Sequence, residues 1–118
     1  MNTAGFPRKA RLLSGAEFKR VFAARQVESN RYFRIHWAAH GSDGLRRPRL
    51  GLAVAKRVAR RAVDRNRIRR IARETFRRMR CRLQTADYVV LARSAAADAD
   101  KQTLKVALDQ LWLRFESQ

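Results

Sequence analysis

Acidic side chains are scarce in this chain. Ten Asp and Glu stand against 28 Lys and Arg in 118 residues, a formal net charge of +18. The few acids are scattered, with no metal-ligand spacing and no close pair for acid–base work, so a carboxylate-built active centre is excluded. Histidine is almost missing: His36 and His40 fall in a strand pattern and a loop, without a nearby carboxylate pair. Cys81 is the single cysteine, which rules out an internal disulfide and fits a reducing cytoplasm. Lying between Arg80 and Arg82 with no histidine partner in sequence, it reads as a half-exposed helical residue, not a nucleophile. No glycine-rich phosphate loop occurs. No apolar run approaches the roughly 20 residues of a spanning helix. The stretch Met1 to Lys9 lacks an apolar h-region, so no secretory signal is expected. There is no internal repeat and no low-complexity tract.

What remains is an apolar content of 46%, enough for one core, and a large excess of cations. The length fits a single domain over residues 1–118, with a basic, weakly structured arm at residues 1–11. Charge of this size self-repels and favours a polyanionic partner, nucleic acid before an anionic membrane surface. The segment Lys56 to Arg82 concentrates it, with thirteen Lys or Arg against Asp64 and Glu74. Within that segment Ile68, Ile71, Ala72, Thr75, Phe76, Met79 and Leu83 keep the spacing of a helix with one buried face. A helix over about 62–82 is expected. Its Asn66, Arg69, Arg70, Arg73, Arg77 and Arg80 fall in a sector of roughly 100° opposite the apolar stripe. Arg65 and Arg67 stand at its start. Arginine binds phosphate bidentately and stacks on bases, and the Asn66 amide suits a sugar hydroxyl or base edge. The apolar residues of this helix are needed for a core, which weakens the membrane reading.

The other elements follow in order. Ser14 and Glu17 form a capping box, with Leu13 and Phe18 as the hydrophobic staple, for a helix from about 15 to 24. Phe18, Val21 and Phe22 share one face of it. A short strand near Gln26 to Ser29 and a bend at Asn30 precede a clear alternation over residues 31–39. Phe33, Ile35, Trp37 and Ala39 take the buried face; Tyr32, Arg34, His36 and Ala38 take the other. His40 to Gly44 reads as a turn, with Arg46, Arg47 and Arg49 after it and Pro48 at a strand entrance. Arg49 to Lys56 is the next strand, with Leu50, Leu52 and Val54 on one face. Gly51, Ala53 and Ala55 on the other leave room for either a packed helix or RNA. Asp87 to Ala92 is a continuous apolar strand of the central type. Residues 95–100 form a linker. A final helix capped by Asp98 or Asp100 carries Leu104, Ala107, Leu108, Leu111, Trp112 and Phe115 on one stripe. The order is α-β-β-β-α-β-α, an α+β domain in which strand, long helix and strand suggest a parallel β-α-β crossover. Most aromatics read as core, Phe33 and Trp37 foremost. Phe18, Phe22 and Tyr32, with His36, could instead line a groove for unpaired nucleotides.

These residues carry a likeness. Arg65-Asn66-Arg67-Ile68-Arg69-Arg70, preceded by Arg49 to Lys56 and followed by Arg73-Glu74-Thr75-Phe76, resembles the signature of the bacterial ribonuclease P protein component. The likeness runs from Phe6-Pro7-Arg8 to Leu111-Trp112, nearly the whole chain. It implies an α+β fold with a left-handed crossover, like the second domain of a small-subunit ribosomal protein and against the usual hand. It implies the protein subunit of a ribonucleoprotein endonuclease that removes the 5′ leader from precursor tRNA, the catalytic RNA holding the active site and its Mg2+. It implies a leader-binding cleft at Phe18, Phe22, Tyr32, Arg34, His36, Ala55 and Lys56. It also implies contact with the catalytic RNA by Arg65, Asn66, Arg67, Arg69, Arg70 and Arg73. No catalytic residue, bound metal, DNA or membrane is implied, and the protein is expected to be monomeric within the ribonucleoprotein. His36 replaces a tyrosine of some relatives. Arg60-Arg61 replaces a Gly-Asn helix start, leaving that helix's N-cap open. The alternative is a ribosomal or other structural RNA-binding protein of similar fold. A DNA-binding regulator fits less well, since no zipper heptads follow Arg82 and no second helix of a helix-turn-helix is present. An autonomous nuclease lacks its carboxylates.

Overall fold

The computed structural model describes residues 15–39 and 47–116. The basic arm, the Ser14 cap with Leu13, and the turn at His40–Gly44 with Arg46 lie outside them. The elements are α1 (Gly15–Ala23), β1 (Gln26–Ser29), β2 (Phe33–Ala39), β3 (Arg49–Ala53), α2 (Ala62–Met79), β4 (Ala86–Ala92) and α3 (Lys101–Leu113). The four strands form one sheet in the order β1-β2-β4-β3. β1 pairs antiparallel with β2 and β2 with β4, while β3 runs parallel to β4. The parallel pair spans α2, the crossover expected of strand, helix and strand.

The register sorts the side chains. Phe33, Ile35 and Trp37 of β2 share a face with Tyr88, Val90 and Leu50. On that face pack α2 and α3, through Ile68, Ile71, Ala72, Phe76 and Met79 and through Leu104, Leu108, Leu111 and Trp112. Both apolar stripes read from the sequence are buried. The rings of Phe76, Tyr88, Trp112 and Phe115 meet at centroid distances of 5.0–6.4 Å, and Trp37 stands edge-on to Phe115 at 5.6 Å. The polar atoms in this core are satisfied locally. Trp112 Nε1 donates to Thr75 Oγ1 at 3.1 Å, Thr75 Oγ1 to the Ala72 carbonyl, and the Tyr88 hydroxyl to the Gln84 carbonyl at 2.6 Å.

The other face carries a smaller core, Val21 of α1 against Ala38 and Val89, with Phe18 and Leu91 at its margin. This corrects the reading of β2. Its last turn of alternation buries Ala38 and exposes Ala39, because α1 covers the opposite face at that end. β3 is also shorter than expected. It leaves the ladder after Ala53, and the Ala55 carbonyl accepts from the amides of Val58 and Ala59, so Lys56 sits in a turn instead of a strand. α2 ends at Met79, and Arg80–Arg82 tighten into a single 3-10 turn. The linker expected at 95–100 contains another, Ser94–Asp98, with Ala96 fully buried. Asp100, not Asp98, caps α3: its carboxylate accepts from the Thr103 amide at 2.8 Å.

Candidate nucleic-acid interface

α2 turns its buried stripe to the sheet, so its arginines are forced outward. They divide by what they touch. Arg65 Nη1 donates to the carbonyls of Ala59 (3.1 Å) and Arg60 (2.7 Å), and Arg67 Nη2 donates to the Ala99 carbonyl at 3.3 Å. These two guanidiniums fasten the helix start to the turn before it and to the segment before α3. Asn66 and Arg70 are exposed, and Arg69 Nη1 donates to Asn66 Oδ1 at 3.0 Å. Arg73 is half-buried and, like the exposed Arg77, has an interaction within the protein. Arg78 turns toward α3 and pairs with Asp109 at 3.0 Å. Thus Asn66, Arg69, Arg70 and Arg77 form the outward cationic strip, while Arg65 and Arg67 brace it.

The open question of the N-cap resolves at Arg61. Its backbone is extended (φ −83°, ψ 139°) and its side chain makes no cap hydrogen bond. Instead its Nε donates to Asp64 Oδ2 at 3.0 Å, placing a carboxylate in the first turn, where the helix dipole favours it.

The second surface lies beside α1. The Phe22 ring meets His36 edge-on at 4.8 Å and lies 6.3 Å from Phe18. Arg34 is exposed next to them. Beyond α1 the sheet face opens into a hollow of about 270 Å³, lined by Arg34, Ala53, Ala55, Arg57, Leu91 and Arg93 among others. Gly51 is buried further along β3, so of the small-residue row Ala53 and Ala55 make the opening. Lys56 is exposed in the turn after Ala55. Phe18, Phe22, Arg34, His36, Ala55 and Lys56 therefore gather at one side of the sheet. Tyr32 does not join them. The Asn30 carboxamide oxygen accepts from the amides of Tyr32 and Phe33 at 3.0 Å each, a local turn that breaks the strand period. Tyr32 packs on the main core instead, near α3. Arg57 and Arg93 were not singled out from the sequence. Arg93 reaches the hollow because Ala92 pairs with Phe33, a long-range register that no local pattern reveals.

His36 is half-buried and its Nδ1 has no hydrogen-bond partner. Burial, and secondarily the Arg34 charge, lower its pKa from the ordinary 6.5.

A buried ionic tether fixes α1. Asp87, fully buried at the start of β4, receives Arg49 in two hydrogen bonds, Nε to Oδ1 and Nη2 to Oδ2, each 2.8 Å. Arg20 of α1 pairs with the same carboxylate, and Arg49 also meets Glu17 of α1 at 2.6 Å. The hydrogen bond to Asp87 raises the Arg49 pKa. Nothing local in the sequence links Arg20 and Arg49. Only the fold places Asp87 between them.

Among the described residues no group of three or more His, Cys, Asp or Glu is placed to hold a metal ion. The most buried carboxylate, Asp87, has its oxygens taken by guanidiniums, so the donor set does not fit a magnesium site. No helix among the described residues is long and apolar enough to cross a membrane.

An arginine strip on one helix and, on the adjoining sheet, a cationic hollow with Phe18, Phe22 and His36 nearby define a polyanion-binding α+β protein. The ribonuclease P family model matches residues 6–116. The chain belongs to the ribonuclease P protein family. It is similar to the ribonuclease P protein component of Halorhodospira halophila, 50% identical over 91% of this chain and 86% of that one. The component of Methylococcus capsulatus is 42% identical over 92% and 83% of the two chains. The solved structure of the Staphylococcus aureus RNase P protein superposes with a TM-score of 0.80 at 28% identity, covering 89% and 93%. That of Thermotoga maritima gives 0.77 at 28% identity, covering 91% and 98%. As a member of this family the chain is the protein subunit of a tRNA-processing endoribonuclease, a ribonucleoprotein in which its partner is RNA.

Proposed function

We propose that this subunit holds two RNAs at once, the catalytic RNA on the outward strip of α2 and the precursor-tRNA 5′ leader beside α1. The observation that carries this reading is adjacency. The turn at Ala55 to Val58 borders the hollow with Ala55, Arg57 and Val58 and leads directly into α2. RNA strands on the two surfaces would run close together without sharing a side chain. On the strip, Arg69 and Arg70 meet phosphates, and Asn66 meets a sugar hydroxyl or base edge. Arg65 and Arg67 hold the helix while adding, with Arg73, to the field. In the cleft, Phe18, Phe22 and His36 offer faces and edges to unpaired bases, and Arg34, Lys56, Arg57 and Arg93 attract the backbone. Tyr32 is left out of this set.

Mg2+ belongs with the RNA in this reading, and the protein's contribution is electrostatic. By neutralising phosphates it lowers the metal needed to bring two polyanions together. The protein acts as one domain, one copy per ribonucleoprotein, in the cytoplasm. The test is reconstitution with a bacterial ribonuclease P RNA and precursor tRNA at low magnesium. Cleavage should rise well above that of the RNA alone, and no gain would overturn the proposal. Shortening the leader should weaken the advantage, whereas it would leave a protein bound only to the catalytic RNA unaffected.

A further inference from the structure

On the far side of the sheet from the cleft, a second hollow of about 390 Å³ lies between the bend before β2 and α3. Its size falls within the roughly 300–1,000 Å³ of small-ligand sites. Tyr32 forms one wall, and the Arg31 guanidinium lies over that ring, 5.8 Å from its centroid. Gln102, Thr103, Val106 and Gln110 of α3 form the other wall. Val106 is 43% exposed, an apolar side chain facing an opening that no described residue fills. The bend is held firmly: Asn30 Nδ2 donates to the Ala107 carbonyl at 2.9 Å while its Oδ1 takes two amides. Asn30 is thus spent on structure, and Tyr32 is presented on a fixed support. The lining includes no acidic side chain.

We propose that this hollow binds an unpaired nucleotide of RNA, at a site separate from both the cleft and α2. The chemistry matches part by part. A planar base stacks on the Tyr32 ring and covers Val106, the two glutamine amides can donate to and accept from its edge, and Arg31 meets the attached phosphate. The chain's +18 charge attracts polyanions, and this hollow offers one of them a ring beside a guanidinium. The proposal rests on the RNA-binding role of the subunit, but on neither of the two surfaces assigned above.

The test uses the reconstituted ribonucleoprotein and two titrations, protein into catalytic RNA and holoenzyme into precursor tRNA. They distinguish which RNA supplies the nucleotide. Tyr32→Leu, which removes the ring and keeps apolar bulk, should weaken one of the two affinities by roughly tenfold. Tyr32→Phe should restore it. Because the lost contact is stacking, the salt dependence should keep its slope, whereas Arg31→Ala should flatten it by about one phosphate's share. Val106→Trp fills the hollow from an exposed position without touching the core, and should reproduce Tyr32→Leu. Wild-type affinity in both titrations for Val106→Trp would overturn the proposal, as would occupation of the hollow by a peptide segment. If the unsubstituted protein bound neither RNA, the RNA-binding reading itself would fail.

Discussion

Arg69 and Arg70 sit three and four residues after Asn66, on the side of α2 that the core cannot use. Substituting either by alanine should leave the helix and its melting temperature nearly unchanged. Affinity for the catalytic RNA should fall, and each lost phosphate contact should reduce the salt slope by about 0.7–0.9. Arg65 is different, because its guanidinium also holds the carbonyls of Ala59 and Arg60. Arg65→Ala should lower thermal stability along with affinity, and circular dichroism melts beside binding isotherms separate the two cases. His36 gives a residue-scale pH dependence. Its folded pKa lies below the ordinary 6.5, so its neutral form is the one the fold favours. The stability this provides is fully present above pH 6.5 and is lost as pH falls from there through the lowered folded value. The groups facing it are Phe22 and the Arg34 cation, and among the described residues no carboxylate offsets its protonation. His36→Gln should therefore flatten the fall in melting temperature between pH 7 and the mildly acidic range, provided both proteins are compared at one ionic strength.

At the scale of elements, stability rests on how α2 and α3 clamp the sheet. Phe76 is fully buried and touches Tyr88 and Trp112, so Phe76→Ala should cost about 3–5 kcal/mol in chemical denaturation. Asp100→Ala should lower the melting temperature through loss of the cap on Thr103. The backbone hydrogen bond from Thr103 holds the Asp100 carboxyl below the usual range. That contribution is present above the ordinary carboxylate pKa and disappears as pH falls through the depressed one. These helices were legible in the sequence because a one-sided helix repeats its apolar residues every three to four positions. The apolar run at β4 was legible as a strand buried on both faces, and β2 as far as Trp37 by its period of two. Three features escaped local reading. The end of β3 is decided by the turn that closes on the Ala55 carbonyl, the burial of Ala38 by a helix elsewhere in the chain, and the displacement of Tyr32 by one Asn30 side chain. The candidate site divides similarly. The α2 strip follows from helical spacing alone, whereas Arg57 and Arg93 reach the hollow only through sheet register and the turn after β3.

At the scale of the whole molecule, the tether at Asp87 joins three elements that are far apart in the chain. Arg20, Arg49 and Asp87 come from α1, β3 and β4, and Glu17 completes the link on α1. Asp87→Ala would leave Arg49 without its bidentate partner inside the protein. The expected loss is about 3 kcal/mol, the low end for a broken buried pair because both arginines keep some contact with water. Leader affinity should fall more than affinity for the catalytic RNA, since the tether positions α1 and not α2. Parallel titrations with the two RNAs, on protein verified as folded, check this.

The two unequal cores also bear on cooperativity. α2 and α3 share the large core, while α1 is held by Val21, its small neighbours and the ion pairs at Asp87. Native-state hydrogen exchange should accordingly resolve two units. Amides of α1 should exchange through a low-energy opening that leaves the rest intact, and those of α2 only through global unfolding. Added salt should hasten the first far more than the second. The helix that borders the proposed leader cleft is thus the one that can lift from its seat while the arginine strip stays ordered, so a leader held there would leave without dismantling the platform that received it.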